Sequence, residues 1–338
     1  MSSNEKKTFN HIPLSVLDLA PINVGSNAGQ SFKNSVELAQ HVEKLGFNRY
    51  WLAEHHNMTG IASSATSVII GHIAGATNHI RVGSGGIMLP NHAPLVIAEQ
   101  FGTLESLYPG RIDLGLGRAP GSDQATAYAL RRNLQSTGDD FPAQVEELES
   151  FFDQGLAGRV RAFPGEGLEI PLWLLGSSGF SAKLAAEKGL PFSFASHFSN
   201  DYTLPAMQIY HQHFKPSKVL KEPYAMLGVN VIAADTDERA KWLATAQQQQ
   251  MFDLMRGMPK QFQPPIDDLN ATWTMREQAT FEEKLASTST IVGSPETVKR
   301  KLESFIKDTR ANEIIINSHI FHQEDRLRSY ELVAEMMD

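Results

Sequence analysis

Short apolar runs alternate with longer amphipathic stretches along almost the whole chain. A run such as Ile12–Leu17 is typical of a buried strand, whereas Ser35–Leu45 carries apolar residues at helical spacing and stops before Gly46, a residue that often ends helices. The runs that predict strands are Ile12–Leu17, Tyr50–Ala53, Ile80–Gly83, Arg111–Leu116, Leu172–Leu175, Phe192–Ala195, Tyr224–Ala233 and Glu313–Asn317. The stretches that predict helices are Ser35–Leu45, Ser64–Ala76, Pro94–Tyr108, Ala143–Leu156, Phe180–Lys188, Leu204–Phe214, Val298–Phe305 and Asp325–Met336.

The order of these elements, strand and then helix, predicts a parallel sheet whose strands are joined by crossover helices. Eight such units favour closure into a (β/α)₈ (TIM) barrel over an open doubly wound sheet. A length of 338 residues is compatible with a single domain of this kind, spanning 1–338.

One stretch, Gln250–Ala279, breaks the alternation between the seventh strand and the helix that precedes the eighth. It contains Pro259, Pro264 and Pro265, and long insertions in compact domains are often functional. We therefore predict an insertion that forms a mobile loop or lid. The alternative is a solvated excursion without a functional role.

The composition excludes several kinds of functional site and leaves the predicted fold unchanged. Cysteine is absent, which excludes disulfides, thiolate metal ligands and a cysteine nucleophile. The formal net charge is −8 and the basic residues are scattered, so we expect no nucleic-acid surface. Met1–His11 is polar and lacks the apolar core of a signal peptide, and no run reaches the roughly 18 apolar residues of a membrane span. A soluble, cytoplasmic protein is the expectation.

Polar and glycine residues follow the second and third predicted strands, where the active site of a (β/α)₈ barrel lies. Glu54-His55-His56 comes after the second strand, and the alternation of a strand directs one imidazole toward the barrel axis. Such an imidazole could move protons or bind a metal, or it could satisfy buried backbone groups. Gly85-Gly86 after the third strand would let a flat ring lie on the main chain, although a plain bulge is the alternative.

The fourth and fifth predicted strands are followed by groups that could hold a phosphate. After the fourth, a dinucleotide fingerprint would need glycine at Pro120, so we exclude that reading. Arg118 beside it could pair with phosphate, or with Asp123 in a structural ion pair. Ser177-Ser178 opens the next predicted helix and forms either an anion site or an ordinary cap. Because the two strands are neighbours, both groups could grip one phosphate.

Together these segments resemble the bacterial luciferase-like monooxygenase family over roughly Ile12 to Ala334. The segments that carry the resemblance are Tyr50-Trp51-Leu52-Ala53-Glu54-His55-His56, Val82-Gly83-Ser84-Gly85-Gly86-Ile87-Met88-Leu89-Pro90, Pro109-Gly110-Arg111-Ile112-Asp113-Leu114-Gly115-Leu116-Gly117-Arg118 and Leu174-Leu175-Gly176-Ser177-Ser178. The resemblance implies a (β/α)₈ barrel that binds FMN, often as a homodimer. It also implies a non-prolyl cis peptide at Gly85-Gly86, and it places the insertion where the luciferases have a mobile loop.

The resemblance also assigns individual residues. His55 falls on the family's pocket histidine, a candidate catalytic base or hydrogen-bond donor. The residues that fall on phosphate-binding positions are Arg118, Ser177, Ser178 and Gly179, and those that fall near the flavin edge are Ala195 and Ser196. Gly117 stands where light-producing members carry a cysteine just before the pocket arginine, so we do not predict light emission.

The function that this resemblance implies is a two-component monooxygenase. Reduced FMN would come from a separate flavin reductase, by diffusion or transient contact, and would react with O₂ on an unknown small organic substrate. One alternative is a deazaflavin-dependent reductase on the same fold, and another is a non-catalytic flavin-binding protein. A metal hydrolase would need a His-x-His pair on the first strand, which the sequence lacks, so we expect no metal site.

Overall fold

The computed structural model of the protein describes residues 6–118, 123–131, 140–155 and 160–338. Its strands are β1 (Thr8–Phe9), β2 (Ile12–Asp18), β3 (Arg49–Leu52), β4 (Arg81–Ser84), β5 (Ile87–Met88), β6 (Ile112–Gly117), β7 (Leu172–Gly176), β8 (Phe192–Phe194), β9 (Ala225–Ala233), β10 (Thr290–Gly293) and β11 (Glu313–Asn317). The parallel strands run in the order β2-β11-β9-β8-β7-β6-β4-β3, and β3 pairs again with β2. The eight predicted strands therefore close into a barrel, as expected.

The described helices are α1 (Ala28–Lys44), α2 (Thr66–Ala76), α3 (Pro94–Leu107), α4 (Gln124–Arg131), α5 (Phe141–Phe152), α6 (Gly179–Lys188), α7 (Thr203–His213), α8 (Asp237–Met255), α9 (Leu269–Thr272), α10 (Met275–Ala286), α11 (Pro295–Thr309) and α12 (Gln323–Ala334). Local chemistry sets several of their ends. The Asn27 side chain accepts a hydrogen bond from Gln30 at the start of α1, and Gly189 takes the left-handed conformation that ends α6. Leu156, the end of one predicted helix, lies outside the described residues.

The insertion lies between β9 and α11, as predicted, but it is more regular than its prolines suggested. Gln250–Ala279 contains the end of α8, all of α9 and the first part of α10. A second apolar core forms here, because Phe252, Trp273 and Phe281 pack together against residues from β9 and β10. The sequence held an unused signal for α10, since Thr274 and Glu277 form a capping box.

The insertion also contacts the loop that follows β2. The backbone N–H of Phe262 donates to Ile22 O at 2.8 Å, and Val24 donates to Phe262 O at 2.9 Å. The Phe262 ring is buried and stacks on His319 with ring centres 4.3 Å apart. The insertion therefore covers part of the C-terminal end of the barrel, and its role as a lid stays a prediction.

The N-terminal end of the barrel is closed by a buried network of charges, here called the basal network: Arg49, Arg81, Asp113 and Glu313. Arg49 Nη1 lies 2.7 Å from Asp113 Oδ2, and Arg49 Nε lies 3.0 Å from Glu313 Oε1. Arg81 Nη2 bonds the other Asp113 oxygen at 2.6 Å. Above this network the barrel interior is filled by apolar side chains: Leu17, Trp51, Trp173, Met226 and Ile315. Among the described helices, none is long and apolar enough to cross a membrane.

Candidate active site at the C-terminal end of the barrel

A cavity of about 280 Å³ opens where the barrel strands end. Most of the residues singled out from the sequence line it: His55, Gly85, Gly117, Arg118, Ser177, Ser178 and Ala195. Three others lie behind that lining: Gly86, Gly179 and Ser196. Strand ends that are far apart in the chain thus bring one set of groups together, because all barrel strands point the same way.

Close packing at the end of β4 accounts for its two glycines. The peptide between Gly85 and Gly86 is cis, as the resemblance implied. A Cβ on Gly85 would lie 2.8 Å from Leu17 Cδ1, and one on Gly86 would lie 2.8 Å from Gly115 O. Gly85 therefore exposes main chain to the cavity, while Gly86 packs against β6.

One end of the cavity is suited to an anion. Arg118 Cζ lies 4.3 Å from the centre of the Phe180 ring, and among the described residues no carboxylate forms an ion pair with it. The alternative partner, Asp123, instead accepts hydrogen bonds from Asn57 and Thr126. Arg118 is thus left available to a ligand.

The start of α6 supplies backbone donors at the same end of the cavity. Ser178 is the N-cap residue, and its hydroxyl makes no capping bond within this described helix. Ser177 and Ser181 line the cavity beside it. Gly179 lies behind the lining, where a Cβ would be 2.9 Å from Tyr202 Oη. Uncapped N–H groups at a helix N-terminus attract anions, and here they face the same cavity as Arg118.

His55 lines the cavity on the side of β3. Its backbone N–H donates to Ser63 O at 3.0 Å, which fixes the chain at this point. Within the described part of the chain, its buried Nδ1 has no hydrogen-bond partner. Burial lowers the pKa of the imidazole and outweighs the opposing charge of Glu54. His55 is therefore a neutral imidazole at pH 7.

His56 points away from this cavity and bonds Glu54. The buried Glu54 carboxylate lies 2.8 Å from His56 Nε2, 2.9 Å from His92 Nε2 and 3.0 Å from the backbone N–H of Met88. Burial opposes its ionisation, but the hydrogen bonds from His92 and His56 hold the Glu54 pKa below its usual range. The three side chains are close enough to hold a metal ion, but mutual hydrogen bonds account for their arrangement.

The sequence did not single out His197, although it follows the sixth predicted strand. Its side chain is buried and lines the cavity, and neither ring nitrogen has a partner among the described residues. Burial lowers its pKa to about 4. His319, under Phe262, also has an unpartnered Nε2 within the described structure and a pKa lowered by burial to about 3, although it does not line the cavity.

Comparison with known proteins gives this geometry a context. The family model described as luciferase-like monooxygenase matches residues 12–313. The protein YvbT of Bacillus subtilis (strain 168) is 59% identical, with 99% of each chain covered. A protein named luciferase-like monooxygenase from Escherichia coli (strain K12) is 52% identical over 97% of both chains. The N-acetyl-S-alkylcysteine monooxygenase of Bacillus subtilis (strain 168) is 31% identical, over 96% of this chain and 98% of that protein.

Solved structures agree on the fold and differ in the cofactor named. The structure of apo-MsnO8 has a TM-score of 0.86 and 34% identity, over 96% of this chain and 98% of its own. At 17% identity, the oxygenating constituent of 3,6-diketocamphane monooxygenase from Pseudomonas putida, in complex with FMN, has a TM-score of 0.74 over 96% of this chain and 97% of its own. An F420-dependent secondary alcohol dehydrogenase has a TM-score of 0.70 at 14% identity, over 97% of this chain and 99% of its own.

Proposed function

This chain belongs to the luciferase-like monooxygenase family, and on that premise we propose that it is a two-component, FMN-dependent monooxygenase. It would take reduced FMN from a separate reductase and use O₂ to oxidise a small organic substrate. The observation that carries the proposal is a single cavity with an anion-binding end and an apolar interior. A flavin mononucleotide has the matching parts, a phosphate and a flat ring.

The residues present fit FMN. Arg118 and the uncapped start of α6 would hold the phosphate, as a fixed cation and a group of backbone donors respectively. Gly85 would leave room for the ring against the main chain. When bound, FMN would supply the electrons that reduce O₂ for transfer of one oxygen atom to the substrate.

The protein's own part is to position the reactants, exclude water and handle protons. His55 would donate or accept a hydrogen bond at the reacting atoms, since its imidazole is neutral and its Nδ1 is unpartnered in the described structure. The apolar lining would keep water from the reaction, and its members include Leu17, Leu19, Trp51, Met88, Leu175 and Ile315. The insertion, which already covers the barrel end through Phe262, would contribute to this enclosure.

The lining also favours one class of substrate. Arg118 is the one lysine or arginine among the described residues that line the cavity. Once the FMN phosphate occupies it, the described part of the lining offers no further fixed cation to bind a carboxylate. We therefore propose a small, largely apolar substrate without a negative charge, unlike the acid named for the N-acetyl-S-alkylcysteine monooxygenase.

The fold is compatible with deazaflavin chemistry, since an F420-dependent dehydrogenase shares it. The two functions are separated by mixing the protein anaerobically with reduced FMN or reduced F420 and then adding O₂. We expect saturable binding of reduced FMN and O₂ uptake that responds to a panel of neutral substrates. Uptake no faster than that of free reduced FMN, together with hydride transfer from F420, would show that the enzyme is instead a reductase.

A non-catalytic flavin-binding protein is tested by His55→Ala. We expect this variant to keep FMN bound while substrate-dependent O₂ uptake falls. FMN binding by the wild-type protein with no O₂ uptake above that of free reduced FMN would favour the non-catalytic alternative, and unchanged uptake in His55→Ala would remove the role assigned to His55.

A further inference from the structure

The loop after β8 places a second imidazole against the cavity wall, at a point fixed by a glycine. The backbone N–H of His197 donates to Gly228 O at 3.0 Å. A Cβ on Gly228 would lie 2.4 Å from His197 Nδ1, so only glycine at this position of β9 leaves room for the ring. The Phe198 ring, 4.2 Å away between centres, and the Lys284 ammonium, which donates to His197 O at 3.4 Å, pack at the same loop.

This placement leaves the imidazole chemically unsatisfied. His197 is 4% exposed and both of its ring nitrogens are buried without a partner among the residues that the structure describes. A buried polar group without a hydrogen bond destabilises a folded protein, so such groups in native structures commonly meet a ligand or an ordered water. In its neutral form this imidazole offers one N–H donor and one nitrogen acceptor.

The barrel topology sets His197 across the cavity from His55. His55 follows β3 and His197 follows β8, and the two strands are four places apart in either direction around the ring of eight. The anion-binding end, formed after β6 and β7, lies between them on one side. A flat ligand whose phosphate is held at that end would extend its ring toward the barrel axis, between the two imidazoles.

We propose that His197 is a cofactor-binding residue, which hydrogen-bonds the polar edge of the flavin ring. That edge alternates carbonyl oxygens with an N–H group, so it can pair with either the donor or the acceptor nitrogen of a neutral imidazole. Gly228 acts as a positioning residue, because a side chain at this position would displace the His197 ring. This inference rests on the proposed binding of FMN.

The test uses two variants, one that removes the His197 imidazole and one that displaces it. His197→Asn removes the ring, whereas Gly228→Ala leaves the ring chemistry intact and displaces it. Both variants are titrated with FMN, and affinity and the absorbance spectrum of the bound flavin are recorded. His213→Asn, an exposed position on α7, serves as the matched control. We expect both variants to bind FMN about 3- to 10-fold more weakly, with a shifted flavin spectrum, since a single net hydrogen bond is lost.

A second readout follows the imidazole itself in the wild-type protein. The ring ¹⁵N resonances of His197, assigned by their loss in His197→Asn, should shift when FMN is added, while those of His213 should not. Far-ultraviolet circular dichroism shows whether each variant is folded, and the wild-type resonances keep the test decisive if a variant does not fold. FMN binding that leaves the His197 resonances unmoved overturns the inference and leaves the proposed function standing. If wild-type protein binds no FMN, both fail together.

Discussion

The basal network at the N-terminal end and the groups around the cavity at the C-terminal end differ in how their buried polar atoms are satisfied. At the N-terminal end, the Asp113 and Glu313 carboxylates each bond to arginine, and Glu313 also accepts from Asn48 and Tyr224. At the C-terminal end, ring nitrogens of three histidines and one serine hydroxyl have no partner in the described structure: those of His55, His197, His319 and Ser196. Trp173 is an exception at the lower end, since its Nε1 is unpartnered and Arg49 lies over its ring instead.

Buried polar groups that are fully bonded stabilise the barrel, whereas unpartnered groups that line the cavity are available to a ligand. Charges that are buried and fully bonded cannot be removed singly without leaving a partner uncompensated. An unpartnered imidazole reduces the stability of the free protein, and a ligand in the cavity would satisfy those of His55 and His197, which line it. Variants of the basal network should therefore affect unfolding, whereas variants of the groups that line the cavity should mainly affect the cofactor and the reaction.

The largest expected effect is at the lower end. Glu313→Gln removes the charge that Arg49 and Tyr224 face, and we expect the free energy of unfolding to fall by about 3–5 kcal/mol, because Arg49 remains buried. Urea denaturation measures this loss, with Glu324→Gln on the exposed face of α12 as the control. The FMN affinity of the folded fraction should stay within about twofold of wild type, since one hydrogen bond lost in the site would already exceed that change. A comparable loss of affinity would remove the distinction between the two ends.

The next effect is on the reaction. His55→Gln should lower substrate-dependent O₂ uptake by about 10²-fold or more, the range for loss of a general acid or base, while stability stays near wild type. His56→Gln is the matched neighbour, and it should mainly destabilise the protein because its Nε2 bonds the buried Glu54. If His56→Gln abolished uptake and His55→Gln did not, the assignment of the two histidines would be reversed.

The pH dependence of stability should show the burial of His197 beside the cavity. The pKa of His197 is lowered from 6.5 to about 4, so between these values the unfolded chain binds a proton that the folded protein does not. The cost of burying a charged His197 ring is absent above pH 6.5, and it lowers the stability of the folded protein progressively as pH falls toward 4. Denaturation curves at several pH values should show His197→Asn losing about 3 kcal/mol less than wild type across this window. Parallel curves would mean that His197 is not buried as described.

The last of these effects is on cofactor affinity at the anion-binding end. Arg118→Ala should weaken FMN binding by about 10- to 100-fold, the range for one charge-assisted hydrogen-bonding group. Arg118→Lys should fall between, because it keeps the charge without the planar fork. Riboflavin, which lacks the phosphate, provides the internal control in fluorescence titrations. An equal loss of affinity for riboflavin would place the phosphate elsewhere.

Much of the fold could be predicted from the sequence because each strand or helix of the barrel carries its own local pattern. The eight strands are short apolar runs bounded by polar or glycine residues, and their alternation with helices predicted the parallel arrangement that closes the barrel. The insertion was harder, since its prolines and methionines interrupt the periodicity that marks a helix. β10 (Thr290–Gly293) was not among the predicted strands, and it adds to the barrel by pairing with the second half of β9.

Site residues that belong to a sequence motif were predicted. A site residue whose place in the cavity depends on packing between distant segments was missed. Arg118 and Gly85 belong to recognisable segments, so their place at the cavity could be expected. His197 could not be distinguished from other loop histidines in the sequence. Its ring fits beside Gly228, and this contact between the loop after β8 and strand β9 leaves no local pattern in the sequence. The separate directions of His55 and His56 followed from strand alternation, but Glu54 as the partner of His56 did not.

A crystal structure of the protein with FMN bound would test these assignments together. We expect the phosphate between Arg118 and the start of α6, and the ring between His55 and His197, with a hydrogen bond to at least one His197 nitrogen. A phosphate bound away from Arg118, or FMN bound outside the C-terminal cavity, would contradict these assignments.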